Sequence, residues 1–316
     1  PFKTLSFDPE SDTWGINFTR TIMRDNETIG WVSRNQEQNP AISGVLTGLE
    51  GLEQGLGLDV VPTLTINGER TFTPYSSDSG AEPSLDIFYK ITPALNASFT
   101  LNTDFSATEV DDRQVNLTRF SLFFPEKRDF FLQDTDIFEF GRLGLRGWGS
   151  RFSRPLSENG RPFFSRKIGL SSTGQPAELD VGGKLSGRIG RWNVGALAVQ
   201  QDEFEAVQAA DLFVGRATAN ILQESNVGVI ITDGDPRSNL SNSVLGVDFH
   251  YQNTRLSNGG VIEADIWYQQ SNTEGIDGED AAWSAKFKMP NNTGFRGEVG
   301  LKEIQANFIP ALGYIN

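Results

Sequence analysis

Strict alternation of apolar and polar residues over unusually long stretches is the feature that most constrains this fold. In the clearest stretch, 179–189, the odd positions are apolar or glycine, and the even positions are polar, charged or glycine. Successive side chains of a β-strand point to opposite faces of the sheet, so the pattern predicts a strand with one apolar and one polar face. A strand of about nine to eleven residues can cross a bilayer, whereas soluble strands usually run to about five or six.

The alternation recurs along most of the chain. It is found in the later segments 192–199, 245–252, 262–269, 283–289 and 295–302, and less regularly in 211–220 and 226–233. Earlier, 85–91 and 95–101 flank a turn and predict a hairpin. Segment 56–67 predicts an edge strand, because Pro62 cannot donate a backbone hydrogen bond. Many strands separated by turns predict an all-β, antiparallel architecture.

The connections between the predicted strands are of two lengths. The short ones are 190–191, 223–226 and 290–294, and the long, polar ones are 201–210, 233–242 and 271–280. Short turns at one end of the strands and long loops at the other are typical of outer-membrane β-barrels. Aromatic residues also lie near predicted strand ends, where an interfacial girdle would place them: Trp192, Tyr251, Tyr268 and Trp283. An antiparallel sandwich would alternate too, but the strand lengths favour a transmembrane outer-membrane β-barrel.

Composition narrows the function classes. The net charge of −14 argues against a protein that binds nucleic acid through a basic surface. It predicts acidic loops or an acidic lumen that favours cations, or reflects solubility alone. The chain has no cysteine, which excludes disulfides and cysteine-based metal or catalytic sites. No run in the sequence approaches the about 20 apolar residues that a membrane-spanning helix needs. The 316 residues start at Pro1 without a signal peptide, so we expect them to be part of a longer, exported chain.

Between about 103 and 170 the alternation stops, and aromatic residues mix with paired charges. Such a segment cannot face lipid, so we expect it to form a plug, constriction or periplasm-facing lid within an incomplete barrel. Its charges would have to pair, because unpaired buried charges are costly. The predicted gate or plug residues are Phe124, Pro125, Glu126, Lys127, Arg128 and Asp129.

This segment also carries a family resemblance. The runs 102–106, 115–120, 123–128, 130–131 and 165–169 resemble a signature of uncharacterised bacterial proteins. Those proteins join an N-terminal domain similar to carbohydrate-binding module family nine to a C-terminal membrane β-barrel domain of unknown function. Thr103 departs from the pattern, since the family has a proline before the Asp-Phe pair.

The resemblance implies a domain organisation and a location. Residues 1–25 would be the last strands of a periplasmic carbohydrate-binding-like domain and its linker. Residues 26–316 would be a partial outer-membrane barrel, in which 308–314 resembles a mid-barrel landmark. The family has no established activity, so none is carried over to individual residues.

Few residues suggest chemistry, and none is predicted to be catalytic. A cluster of four acidic residues is a weak candidate for a calcium site: Asp104, Glu109, Asp111 and Asp112. A solvated loop explains the cluster more simply, and the sequence lacks the full Asp-x-Asp-x-Asp-Gly pattern of a calcium-binding loop. The single histidine alternates within a strand, which favours a lumen-lining position over a catalytic triad. No cofactor is predicted. The positions expected to line the lumen as gate or selectivity residues are Asp248, His250, Gln252, Glu263, Asp265, Lys286, Arg296 and Glu298.

These observations favour the passage or capture of a solute at the bacterial outer membrane. A carbohydrate is suggested only by the neighbouring domain of the family. The expected partners are the lipid bilayer with its lipopolysaccharide, a small solute and an envelope protein, but no nucleic acid. Three alternatives stay open. A structural or assembly protein of the envelope would have an occluded lumen, and a soluble β-rich carbohydrate-active protein would have carboxylates converging in an open cleft. A barrel that is one subunit of a larger complex would display an apolar or aromatic patch outside the lipid band.

Overall fold

The structure is a computed structural model that describes residues 11–33, 42–49, 51, 56–72, 75–103, 126–143, 159–171, 177–291 and 294–315. The helical elements described are one turn of α-helix, α1 (Asp129–Leu132), and the 3₁₀ turns Thr135–Phe138 and Ser165–Lys167. Within the described residues no helix has the length and apolar character to cross a membrane. The strands are β1 (Thr13–Ile16), β2 (Thr19–Ile22), β3 (Glu27–Gly30), β4 (Gly44–Thr47), β5 (Leu58–Phe72), β6 (Tyr75–Thr92), β7 (Leu95–Thr103), β8 (Leu179–Ile189), β9 (Trp192–Gln201), β10 (Ala210–Ile221), β11 (Ser225–Asp233), β12 (Asn242–Asn253), β13 (Ile262–Thr273), β14 (Ala281–Met289) and β15 (Gly297–Ile304).

One antiparallel sheet dominates the described part of the chain. Its eleven strands, β5 to β15, lie side by side in sequence order. The predicted all-β, antiparallel class is therefore confirmed, as are the hairpin of β6 with β7 and the edge position of Pro62 in β5. Over these residues the sheet is not closed into a barrel, since β5 and β15 are its two edges.

Four short strands lie outside this sheet. β1 pairs with β4 and β2 pairs with β3, in two separate two-stranded sheets. They precede the first strand of the large sheet, which begins at Leu58. The assignment of residues 1–25 to a carbohydrate-binding-like domain stays a prediction.

The two faces of the large sheet reverse the arrangement of a typical soluble protein. On the outward face, large apolar side chains are exposed, including Leu245 at 56 % and Ile266 at 49 %. On the opposite face, polar side chains of the same strands are buried, including Asp248, His250 and Asp265. Soluble antiparallel sheets pack the apolar face on the core and leave the polar face in water. The alternation read from the sequence is thus present, and its polar side faces inward.

The inward face is covered by what we call the inner segment, residues 126–143 and 159–171. Its Phe130, Phe138 and Phe140 are buried in the same core as Leu197 and Trp267 of the sheet. Two strand glycines permit this close approach. A Cβ at Gly195 would lie 2.8 Å from Phe138 Cζ, and one at Gly246 would lie 2.9 Å from Phe140 Cζ.

The connections alternate between the two ends of the sheet. We call one end the short-turn rim, with connections 93–94, 190–191, 222–224, 254–261 and 290–296. The other is the loop rim, with connections 73–74, 104–178, 202–209, 234–241 and 274–280. The predicted contrast in length is therefore partial, since 254–261 is as long as most connections of the loop rim. The inner segment enters and leaves the sheet at the loop rim.

Two details differ from the expected strand pattern. Leu179 was expected on the apolar face, but it is fully buried, because the pairing of β8 with β9 shifts register between Leu179 and Val181. A bulge of this kind moves a side chain to the other face. Arg296 was expected to line the lumen, but it lies in the connection before β15 and is exposed.

Candidate functional site

A buried ion pair anchors the start of the inner segment. Arg128 donates from Nε to Glu126 Oε1 and from Nη2 to Glu126 Oε2, both at 2.8 Å. The same guanidinium donates to the backbone oxygens of Ile168 and Ser165, at 2.6 and 2.8 Å. Ser165 Oγ donates to Glu126 Oε2 at 2.6 Å. The two described parts of the inner segment are therefore tied together by one pair whose side chains are only 3 % and 8 % exposed.

The charge of Glu126 is stabilised by its surroundings. Burial alone would raise the pKa of Glu126, but the hydrogen bonds and the charge of Arg128, together with the Ser165 hydroxyl, outweigh it and lower the pKa to about 2. The carboxylate is therefore ionised at neutral pH. The prediction that these charges pair among themselves is borne out for Glu126 and Arg128.

A second set of contacts fixes the inner segment to β7 and β8. Lys184 of β8 donates to the backbone oxygens of Phe130 and Gln133. Asp134 accepts from Asn96 Nδ2 at 2.7 Å and from Ser186 Oγ at 2.8 Å. The backbone of Asp134 is left-handed, with φ +54°. These contacts cross from the strands to the turn after α1 and hold it on the polar face.

A third contact holds the turn at Gly141. Arg216 of β10 donates to both oxygens of Asp248 on β12, at 2.6 and 2.8 Å, and the Gly141 N–H donates to Asp248 Oδ2 at 3.0 Å. The Arg216 and Asp248 side chains are 2 % and 7 % exposed. Gly228 lies between them, and a Cβ there would be 2.6 Å from atoms of both. This pair is enclosed and serves the packing of the inner segment.

The next turn residue, Arg142, reaches a different group of side chains. Its Nη1 lies 2.6 Å from His250 Nε2, and His250 Nδ1 lies 2.7 Å from Asp265 Oδ1. A neutral imidazole with its proton on Nδ1 satisfies both contacts, donating to Asp265 and accepting from Arg142. Arg142 Nε and Lys286 Nζ also pair with Asp265, at 3.9 and 3.8 Å. One buried carboxylate thus organises a histidine and two cations.

A neighbouring pair extends this group along β13 and β14. Glu263 and Lys288 are in register, and Lys288 Nζ lies 3.3 Å from Glu263 Oε2. The Glu263 side chain is 5 % exposed and that of Lys288 is 24 % exposed. We call Arg142, Lys286 and Lys288 the cation cluster. It lies on the half of the polar face nearest the short-turn rim.

The structure brings together most of the predicted lumen residues. Asp248, His250, Glu263 and Asp265 are buried on the inward face, and Gln252 and Lys286 are partly buried there. Glu298 is in register with Lys288 but exposed on the edge strand. Of the predicted gate residues, Lys127 is half-buried and Asp129 is exposed at the start of α1. Outside the described residues lie Phe124, Pro125, Asp104, Glu109, Asp111 and Asp112.

Several important side chains were not predicted. Arg142 and Asp134 lie in the irregular segment, where no periodicity marks their direction, and both have positive φ angles. Lys184 and Arg216 do carry a signal, because each is a charge among small or apolar residues of an alternating strand. In the described ranges no three His, Asp or Glu side chains are grouped so that they could hold a metal ion.

Comparisons with known proteins identify a family. A family model described as "Domain of unknown function (DUF5916)" matches residues 58–313, from the first strand of the large sheet to beyond its last. No curated protein and no solved structure matches the chain.

Proposed function

The chain belongs to the family described as a domain of unknown function (DUF5916), and we propose that it is an outer-membrane β-barrel protein for the passage or capture of a solute. The observation that carries the proposal is the reversed sheet, in which the apolar face is exposed and the polar face is covered. A large apolar surface of this kind is rare on soluble proteins. It is the surface that lipid would cover on a transmembrane strand.

Strand length and connectivity support this proposal. The strands β8 to β13 are 9 to 12 residues long, which is the length of strands that cross a bilayer. Each strand is hydrogen-bonded to its sequence neighbour, as in an up-and-down barrel. The lipid interior cannot satisfy the unpaired backbone groups of an open sheet edge. The proposal therefore includes pairing of the two edge strands, β5 and β15, so that the sheet closes into a barrel.

The inner segment would be the constriction of this barrel. It belongs to the 104–178 connection, which leaves β7 and enters β8 at the loop rim, and it folds back over the polar face. Its contacts with the strands are salt bridges and hydrogen bonds around an aromatic core, as for Arg216 with Asp248. If the loop rim faces outward, as long loops do in outer-membrane barrels, the segment is an external loop folded into the lumen.

The carbohydrate assignment has weaker support. It rests on the resemblance of residues 1–25 to the end of a carbohydrate-binding module of family nine and on the association of such modules with these barrels. In the described part of the chain, two carboxylates of the polar face, Asp265 and Glu263, are buried beside cations, at 9 % and 5 % exposure. That arrangement differs from the open carboxylate cleft expected of a soluble carbohydrate-active protein.

A structural or assembly role is the second candidate, and one observation favours it. Over the described residues, the inner segment covers part of the polar face with a packed aromatic core. A lumen filled in this way along its whole width would be occluded. Passage then requires either an open path beside the segment or movement of the segment itself.

The proposal is tested on the full-length gene product extracted from membranes. We expect the protein to need detergent for extraction and to migrate faster on gels unboiled than boiled, as a closed, detergent-resistant barrel does. Single-channel conductance in planar bilayers then separates the two roles, because an assembly subunit would give no conductance. A protein that leaves the membrane without detergent and migrates identically in both states would refute the barrel.

A further inference from the structure

The cations of the polar face fall into two classes that differ in exposure. Arg128 and Arg216 are 3 % and 2 % exposed and donate two hydrogen bonds each to their carboxylates. Arg142 and Lys286 are 37 % and 39 % exposed, and both approach Asp265 only at 3.8–3.9 Å. The first class holds the inner segment in place. The second class keeps hydrogen-bond donors available.

The carboxylates of the cation cluster are buried while the cations are accessible. Asp265 and Glu263 are 9 % and 5 % exposed, whereas Lys288 is 24 % exposed. Where an entering solute approaches Asp265 and Glu263, it would therefore meet guanidinium and ammonium groups first, although the edge strand adds an exposed carboxylate, Glu298, in register with Lys288.

Arg142 is held in a fixed position rather than extended into solvent. Its backbone is left-handed, with φ +52°, an uncommon conformation for a residue other than glycine. His250 accepts from Nη1 at 2.6 Å, and Asp265 supports Nε. The adjacent N–H of Gly141 is bound to Asp248. A guanidinium fixed by its neighbours loses little conformational entropy on binding and presents a planar set of donors to an oxyanion.

We propose that Arg142, Lys286 and Lys288 form a binding site for an oxyanion, a carboxylate or phosphate group, on the short-turn side of the inner segment. The inference deepens the proposed function, on which it rests, by giving the solute a negative charge. It reverses what the net charge of the chain suggests, because the acidic residues are concentrated elsewhere. The loop-rim connections 202–209 and 274–280 together hold seven carboxylates and no lysine or arginine.

Binding is measured by isothermal titration calorimetry on the full chain, in detergent if extraction requires it. The probes are inorganic phosphate, galacturonate and the neutral sugar galactose. We expect one or both anions to bind and galactose not to bind, and the stronger anion identifies the kind of oxyanion. Loss of one charge-assisted hydrogen bond in Arg142→Gln or Lys286→Gln should weaken anion binding about tenfold or more.

Two further variants keep the test decisive. Arg255→Gln removes one positive charge at the same rim, where Arg255 pairs with Glu224 and not with the cluster, so it should leave anion affinity unchanged. Circular dichroism shows whether Lys286→Gln folds. Lys286→Arg, which preserves the positive charge, provides a second test at this position and should retain anion binding. The inference is overturned if neither anion binds, if galactose binds as well as galacturonate, or if Arg255→Gln weakens binding as much as the cluster variants. A protein that binds anions but leaves the membrane without detergent would refute the barrel alone.

Discussion

Replacing Glu126 with glutamine tests how strongly the inner segment is anchored. Lowering the pKa of Glu126 from 4.5 to about 2 corresponds to about 3 kcal/mol, at about 1.4 kcal/mol per pKa unit. Breaking a buried ion pair, which leaves the other charge uncompensated, typically costs about 3–5 kcal/mol. Both estimates indicate that Glu126→Gln destabilises the anchored state by about 3 kcal/mol. In this variant Arg128 stays buried, and only backbone oxygens and the new amide accept its hydrogen bonds.

The same shift fixes the pH dependence. Because the folded pKa lies below the ordinary value, this stabilisation is complete above about pH 4.5 and is lost as the pH falls through the range from 4.5 to about 2. The wild-type protein should therefore lose anchoring in that window. Glu126→Gln should already lack it at neutral pH and show no change across the window.

Hydrogen exchange of backbone amides measures the effect locally. The amides of Phe131 and Leu132 donate to Arg128 O and that of Ile168 donates to Ser165 O, so all three report on the anchor. Their opening free energy should fall by about 3 kcal/mol in Glu126→Gln. The matched control is Asp136→Asn, whose pair with Arg188 is 68 % and 54 % exposed and should contribute less than about 1 kcal/mol. Equal protection of these amides in the two variants would refute the reasoning.

Three further predictions concern the sheet and the second part of the inner segment. Gly195→Val should lower the free energy of unfolding by about 1–3 kcal/mol in a denaturant titration, because its Cβ would lie 2.8 Å from Phe138 Cζ. The control is Gly183→Val, whose Cβ meets nothing within 4 Å and which should leave the free energy of unfolding unchanged. Val247→Arg on the exposed apolar face should reduce stability in lipid vesicles by about 2–4 kcal/mol relative to Val247→Leu, and an unchanged folding yield would count against lipid at that face. Burial, followed by the charge of Arg237, lowers the pKa of Lys167 to about 8, so the charged form of Lys167 destabilises the fold below that pH. Lys167→Met should therefore raise the melting temperature at pH 7, and this gain should disappear as the pH rises from about 8 to 10.5. A difference in melting temperature that stays constant with pH would contradict the prediction.

The strands could be predicted because their signal is local. Side chains alternate between faces every residue, so the period in 179–189 is visible without any knowledge of the fold, and β8 has the same bounds. The exception at Leu179 comes from a bulge, which depends on the partner strand β9. Arg296 fails for a related reason, since the register of β15 with β14 sets where the strand begins.

The site could be predicted only from its strand side. His250 and Asp265 were found because periodicity assigns a face to each strand residue. Their partner Arg142 lies 108 residues before His250 in an aperiodic segment, so no local pattern connects the two. The anchor Arg128 could be expected to pair with Glu126, two residues away, but not to bind Ile168, forty residues further on.

Net charge does not locate the proposed oxyanion site, and the reason is physical. A total of −14 sums over positions that never act on the same solute. Coulomb interactions in water fade over about 8–10 Å at physiological salt, so the acidic loops and the cation cluster at opposite rims are nearly independent. Within the cluster, the negative charges are also less exposed than the positive ones, because the side chains of Asp265 and Glu263 are buried and those of their partners Lys286 and Lys288 are partly exposed. The charge that a solute meets is therefore set by which side chains remain exposed, and that depends on the covering of the polar face by the inner segment.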